Sequence, residues 1–430
     1  MSVICVELNE VNFEMVERYV ERGELPNFAN LLARHGFSRT TSEDRYEKLE
    51  PWIQWVTAHT GLSLADHGVF RLGDFPATDH RQIYEHLHEA GVTVGAVSPM
   101  NAALRGDGAA FFIPDPWTRT GVKAGPIARG LYKAICQAVN ENAQSRLTAA
   151  SAIRLAAGLA RYGWRLDRYA PLVRNILSGK SWYKALLLDR LLADLFIAET
   201  RKHRPGFATV FLNAAAHIQH HYLFNSAIYE GPHGNPDWYI DRTEDPLLDV
   251  YRLYDRLIGE VSAAFPDARL LIATGLHQDP HDRECLYWRL RRPEVFLASL
   301  DIPFTRVDTL MSRDFVVHAR DADAALRAQR RLERVVASDG TTLFEVDNRG
   351  DSLFCTLTYP DDIADDLRFG ADGAWVGPLK PEVAFVAVKN GHHNGIGYWL
   401  DTGAHNGETF PLRDIPNRIC EMVGAPPLND

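Results

Sequence analysis

Cysteine is scarce in this chain of 430 residues. The five that occur, Cys5, Cys136, Cys285, Cys355 and Cys420, are odd in number, far apart and free of any CxxC pair. That argues against a disulfide framework and against a cysteine-bound zinc, and fits a reducing cytoplasm. Long apolar runs are also lacking, so no membrane-spanning helix is expected. The opening MSVICVELNEVNF has no basic region followed by an apolar one, the mark of a secretory leader, and is read as a soluble chain entering directly into structure. Internal repeats and low-complexity tracts are missing too, which removes solenoids and disordered linkers from consideration.

What is present is a composition 46% hydrophobic and 24% charged, enough for a sizeable core in two or more lobes. VICVEL is a short apolar run suited to a buried parallel strand, and FEMVERYVERGELPNFANLLARHG after it has helical period and a glycine stop. VTVGAVSP, FATVFLNAA, ARLLIATG and VAFVAV repeat the strand pattern, each ending in small or polar residues. In an open parallel sheet such strand ends form the ligand crevice. TLFEVDNRGDSLFCTLTYP alternates around a turn and reads as a β-hairpin within a small α+β insertion.

The net charge of -10 is unevenly spread. Between Arg119 and Arg204 stand 16 Lys or Arg against 5 acids, a surplus of eleven, which leaves -21 for the remainder. SAIRLAAGLARYGWRL and WYKALLLDRLLADLFIAETRKH place apolar residues at helical spacing, so this segment is expected to be a helical insertion. It offers a lid or docking surface for something anionic: a phosphorylated substrate, a nucleotide sugar, or a membrane face bearing a lipid-linked substrate. The plainer reading, that these cations only solvate amphipathic helices, has equal weight. Nucleic acid is disfavoured, because no recognition motif accompanies the charge.

Three stretches resemble the alkaline phosphatase superfamily, in particular its type I phosphodiesterase and nucleotide pyrophosphatase branch. They are VELNEVNFEMVERYVERGELPNFANLLARHG, WVTAHTGLSLADHGVF and HHNGIGYWLDTG. The resemblance implies a three-layer α/β sandwich around a mostly parallel sheet. Its core would comprise 1–104, 205–282 and 375–430, with the basic helical insertion at 105–204 and the α+β insertion at 283–374. It also implies two divalent metals, commonly zinc, flanking a Ser or Thr nucleophile in a phosphoester or phosphodiester hydrolase or transferase. Nucleotide-sugar, glycolipid or polysaccharide metabolism would supply the substrate.

Carried over position by position, the resemblance puts Asn9 where the family has its first metal-binding Asp. A neutral oxygen there weakens a dication site. Ala216 takes the place of another Asp, while His220 and His393 fall on retained histidine positions; Thr274 and Gly275 replace an Asp-His pair. One site therefore keeps two ligands, and one divalent metal, zinc by preference, is the expectation, the second site being lost. His217 shares a helical face with His220 and is a candidate for the place of the missing Asp. His277 and His281 could enter the space left by Thr274 and Gly275, and His67 is read as structural.

No Ser or Thr lies between Ser42 and Thr57, where the nucleophile is expected, and Glu50 is the nearest reactive side chain. It could complete His220 and His393 as a ligand, serve as a general base, act as a carboxylate nucleophile, or simply sit at a helix start begun by Pro51. A carboxylate mechanism on a sugar would need a second acid, with Glu7, Glu10, Asp66, Asp74, Asp115 and Asp279 in view. Trp52, Gln54 and Arg71 are candidates for substrate contact, by stacking, amide hydrogen bonding and phosphate clamping. A non-catalytic scaffold built on the same fold is the alternative to an enzyme.

Overall fold

The computed structural model describes residues 2–429 except 44, 46, 47, 141–147, 164 and 311–312, with backbone alone at residue 140. Of the charges counted above, Glu141 and Arg146 lie outside the described residues. The chain divides into two compact units, one of 1–137, 147–280 and 391–430, the other of 138–146 and 281–390.

The first unit begins with β1 (Val3–Leu8), α1 (Phe13–Glu21), α2 (Pro26–His35) and β2 (Ser38–Thr41). The single helical stretch expected after β1 is thus two helices. Gly23, at φ 76°, turns the chain in a conformation that suits a residue without a Cβ, and Pro26 opens α2 where its missing N–H is harmless. Next come α3 (Pro51–Thr60), α4 (Leu64–His67), α5 (Ile83–Glu89), β3 (Val94–Val97) and β4 (Phe111–Ile113). The basic segment supplies α6 (Pro126–Asn140), α7 (Ala149–Tyr162), α8 (Leu166–Leu177) and α9 (Tyr183–His203). After it stand β5 (Phe207–Leu212), α10 (Ala214–Tyr222), α11 (Pro246–Ala264) and β6 (Arg269–Ala273).

Along β7 (His277–Leu290) the chain enters the second unit. There α12 (Pro293–Ser299), β8 (Arg306–Thr309), β9 (Asp314–His318), α13 (Ala322–Leu332) and β10 (Val335–Ala337) precede β11 (Phe344–Asn348), β12 (Ser352–Leu357), β13 (Arg368–Ala371) and β14 (Ala374–Pro378). The expected hairpin is β11 with β12, antiparallel with Asn348 opposite Leu353. β12 continues through β9 to β8, and Phe296, Phe315, Phe344 and Phe369 fill this unit's own core. β15 (Val383–Asn394) pairs with β7, and β16 (Ile396–Asp401), β17 (Thr409–Pro411) and α14 (Ile415–Val423) complete the first unit.

The first unit's sheet has eight strands in the order β17-β2-β16-β6-β1-β5-β3-β4. Strands β6, β1, β5, β3 and β4 run parallel, and β16 is antiparallel to β6. β1 and β5 are buried at every residue, as strands covered on both faces must be, which is why both read as largely apolar runs, broken only by Glu7 and Thr209. Val3 and Cys5 of β1, with Phe207 and Phe211 of β5, pack with side chains of α3, α5 and α14. α9 packs on β3 and β5, and α7, α8, α10 and α11 pack on α9. Apart from 138–146, the basic segment therefore belongs to the first unit as part of a helical layer. VAFVAV, read as a strand of the main sheet, lies instead in β15: its burial is intermittent, and the sheet position goes to the more apolar β16.

Candidate metal centre

Three separate chain segments, each just beyond a strand end or at the end of a strand, converge at one point. Glu10 follows β1, His220 lies on α10 after β5, and His393 is near the end of β15. Glu10 Oε2 is 3.3 Å from His220 Nε2 and 3.2 Å from His393 Nε2, and the two imidazole nitrogens are 3.2 Å apart. This is the one group of His, Cys, Asp or Glu found among the described residues whose ligand atoms all fall within 4.8 Å of each other.

Glu10 reaches the cluster because its backbone is left-handed, with φ 62°. For a residue with a Cβ that conformation costs roughly 1–2 kcal/mol and persists only where neighbours hold it. Here its N–H donates to the Thr274 carbonyl at 3.1 Å, and its own carbonyl accepts from Gln219 Nε2 at 2.7 Å. Its side chain is fixed as well, by Asn9 Nδ2 on Oε1 at 3.0 Å and by the Gln278 amide on Oε2. Burial opposes ionisation of this carboxyl, but the charges of His393 and His220 and their hydrogen bonds outweigh it and hold it well below the usual carboxylate range. An anion is therefore kept in a dry place facing two imidazoles. Two histidines and a carboxylate with a fourth position open is a recognised catalytic zinc set, so the donors fit a divalent cation.

The supports of this cluster are themselves buried. Asp189 of α9 accepts the N–H groups of Asn213 at 3.3 Å and Ala214 at 2.7 Å and the Tyr254 hydroxyl at 2.6 Å, and so holds the start of α10. Burial pushes the Asp189 carboxyl up to about 6, against these hydrogen bonds. Gln219 also accepts the Tyr251 hydroxyl at 2.7 Å, so the helix next to His220 is tied to α11.

Glu50 stands to the side. Its Oε2 is 3.9 Å from Nδ1 of His393, the ring face away from Glu10, and its carboxylate makes no cap hydrogen bond to α3 although it occupies the N-cap position. The carboxylate within the cluster is accordingly Glu10, with Glu50 beyond the imidazole. His217 lies outside the cluster, exposed on α10 with its ring centroid 4.9 Å from that of His221. Asn9 is buried and fully engaged: Oδ1 accepts Trp55 Nε1 at 2.7 Å, and Nδ2 donates to Asn213 Oδ1 at 2.8 Å as well as to Glu10. It positions and does not project.

The remaining expectations divide similarly. Thr274 Oγ1 accepts the Tyr398 N–H at 2.8 Å, and a Cβ on Gly275, itself at φ 72°, would stand 3.0 Å from the Trp55 ring. His277 faces the Ile396 carbonyl at 2.6 Å and Asp279 at 3.2 Å, and His281 faces the Arg283 carbonyl at 2.8 Å. His67 packs against Thr57, 3.2 Å from its hydroxyl. Trp52 Nε1 donates to the Phe70 carbonyl at 3.0 Å, the buried Gln54 donates to the Lys48 carbonyl at 2.9 Å, and the Arg71 carbonyl accepts from Asn101 at 3.2 Å. These contacts tie Trp52 and Gln54 to neighbouring backbone. Glu10 was visible in the sequence only as one of six acids; the signal that marks it is its place between a buried strand and the Asn12 that caps α1.

No family model matches the chain, and no curated protein matches its sequence. Solved structures do resemble it. Phosphonoacetate hydrolase from Sinorhizobium meliloti 1021, in complex with phosphonoformate, is 12% identical over 99% of this chain and 95% of that one, with a TM-score of 0.44. Human ectonucleotide pyrophosphatase/phosphodiesterase 5 is 10% identical over 99% and 96%, with a TM-score of 0.43. Both neighbours are members of the alkaline phosphatase superfamily. At such scores the likeness carries no argument about chemistry, and the α/β assignment rests on the strand order described above.

Proposed function

We propose that this chain is a hydrolase of phosphate esters or diesters that works with one divalent cation, zinc by preference, held by Glu10, His220 and His393. The observation that carries this reading is the convergence of those three side chains around one buried carboxylate oxygen. A cation bound there would supply Lewis-acid charge to a phosphoryl oxygen. The chain's own residues supply the rest. Glu10 brings a fixed negative charge, Gln278 and Asn9 hydrogen-bond it, and Glu50, on the far side of His393, would take a proton from an attacking water or orient the ring. A nucleotide sugar, glycolipid or polysaccharide precursor is the substrate class we favour.

The test joins metal binding to turnover. Metal-depleted protein is titrated with zinc and manganese by calorimetry and assayed on bis(p-nitrophenyl) phosphate and p-nitrophenyl phosphate. We expect one equivalent to bind and hydrolysis to follow occupancy; absence of both would remove the proposal. A second reading, a binding module without turnover, draws on the Ser and Thr that flank Glu50 in sequence: Ser42 donates to the Gly395 carbonyl at 2.7 Å and Thr57 faces His67. Metal binding without hydrolysis of either ester would favour it.

A further inference from the structure

α8 is apolar on two sides. Tyr169 and Leu172 are buried on one, and the Tyr169 hydroxyl donates to Asp194 of α9 at 2.7 Å. On the other, Leu166, Ala170, Val173 and Leu177 follow one another at helical spacing and are all exposed, the three larger ones to 74%, 41% and 81%. On α7, Ile153 is 70% exposed and is followed by exposed Ala156, Ala157 and Ala160. A scattered exposed leucine needs no explanation, but an outward stripe along a whole helix with a second large aliphatic residue on the preceding one does.

The charge on these helices selects the occupant. From Ala149 to Ser178 there are five arginines and one acid, Asp167, which is paired with Arg165 at 2.9 Å. Arg168 turns inward to Glu260 at 2.7 Å, whereas Arg154 and Arg174 make no ion pair among the described residues. Apolar side chains flanked by arginines match an interface where acyl chains lie beneath anionic headgroups. A second copy of this chain, at -10, has the right overall sign but would set like-charged arginines against each other across a symmetric contact. No helix among the described residues is long and apolar enough to span a bilayer, so contact would be peripheral.

We infer that the outward face of α7 and α8 is a docking surface for an anionic lipid bilayer, with Ile153, Leu166, Val173 and Leu177 entering the interface and Arg154 and Arg174 meeting the headgroups. The inference stands apart from the metal centre, since none of these residues touches Glu10, His220 or His393. It places the protein at the membrane surface irrespective of which bond it cleaves.

Flotation of the full chain with vesicles of phosphatidylcholine containing phosphatidylglycerol, compared with phosphatidylcholine alone, tests it. Wild type should float with the anionic vesicles, less at high salt and weakly with the neutral ones. Combined Leu166→Ser, Val173→Ser and Leu177→Ser should reduce partitioning at least about tenfold, and Arg154→Gln or Arg174→Gln about fivefold each. Because these side chains are exposed, thermal unfolding and hydrolysis of a soluble ester should stay unchanged, which separates loss of docking from loss of fold. Binding to neither vesicle, or binding that the triple serine variant retains, would overturn the inference. So would light scattering that shows a dimer which the triple variant dissociates, since the stripe would then be covered by a second copy.

Discussion

Glu10 and Glu50 flank the same imidazole, and their roles separate by substitution. Glu10→Gln keeps the shape of the side chain but removes the buried charge, so metal affinity should fall by at least ~100-fold, with activity following occupancy. Glu50→Gln should leave calorimetric affinity within a few fold and lower kcat by about 10²–10⁴, the range for loss of a positioned proton acceptor. If Glu50→Gln instead abolished metal binding, Glu50 would be a ligand and the assignment of Glu10 would need revision. Why the sequence pointed to Asn9 and Glu50 more readily than to Glu10 is a matter of backbone. Counting along a strand assumes extended residues, and the left-handed turn at Glu10 rotates its side chain to a place that counting cannot reach. His220 and His393 were singled out by the resemblance, position by position, and α10 and β15 bring both to Glu10.

At the scale of elements, α10 depends on Asp189. Its carboxyl titrates at about 6 in the folded chain, above the ~3.9 of an unfolded aspartate. The folded state therefore holds more protons than the unfolded state between those values. Stability from this group is fully present below about pH 4 and is lost as pH rises towards 6, by about 3 kcal/mol at ~1.4 kcal/mol per pK unit. Asp189→Asn should flatten that part of the stability profile, measured by urea unfolding across the interval. A slope unchanged by the substitution would assign it to other groups. Neither this tie nor the break between α1 and α2 follows from periodicity alone. Asp189 lies 25 residues before Ala214, and only the packing of α9 on β5 brings it to the start of α10. The parallel strands were easier, because burial on both faces leaves an apolar run, whereas the half-buried β15 imitates that run without joining the main sheet.

For the whole molecule, the Glu10–His220–His393 cluster lies within the first unit even though the second is inserted between its parts. Glu10, His220 and His393 come from 1–137, 147–280 and 391–430. The expected α+β insertion at 283–374 compares with 281–390, the margins being the long paired strands β7 and β15 that carry the chain out and back. A cation that joins three distant segments of one unit stabilises the folded state by mass action, about 2.7 kcal/mol at a hundredfold excess over Kd. Hydrogen exchange measured with and without zinc should then show new protection around Glu10, along α10 and at 391–396, with α13 and the β11–β12 hairpin unchanged. Glu10→Gln should erase the difference. Protection that spread equally through the second unit would mean that zinc acts on the chain elsewhere than at the three converging side chains.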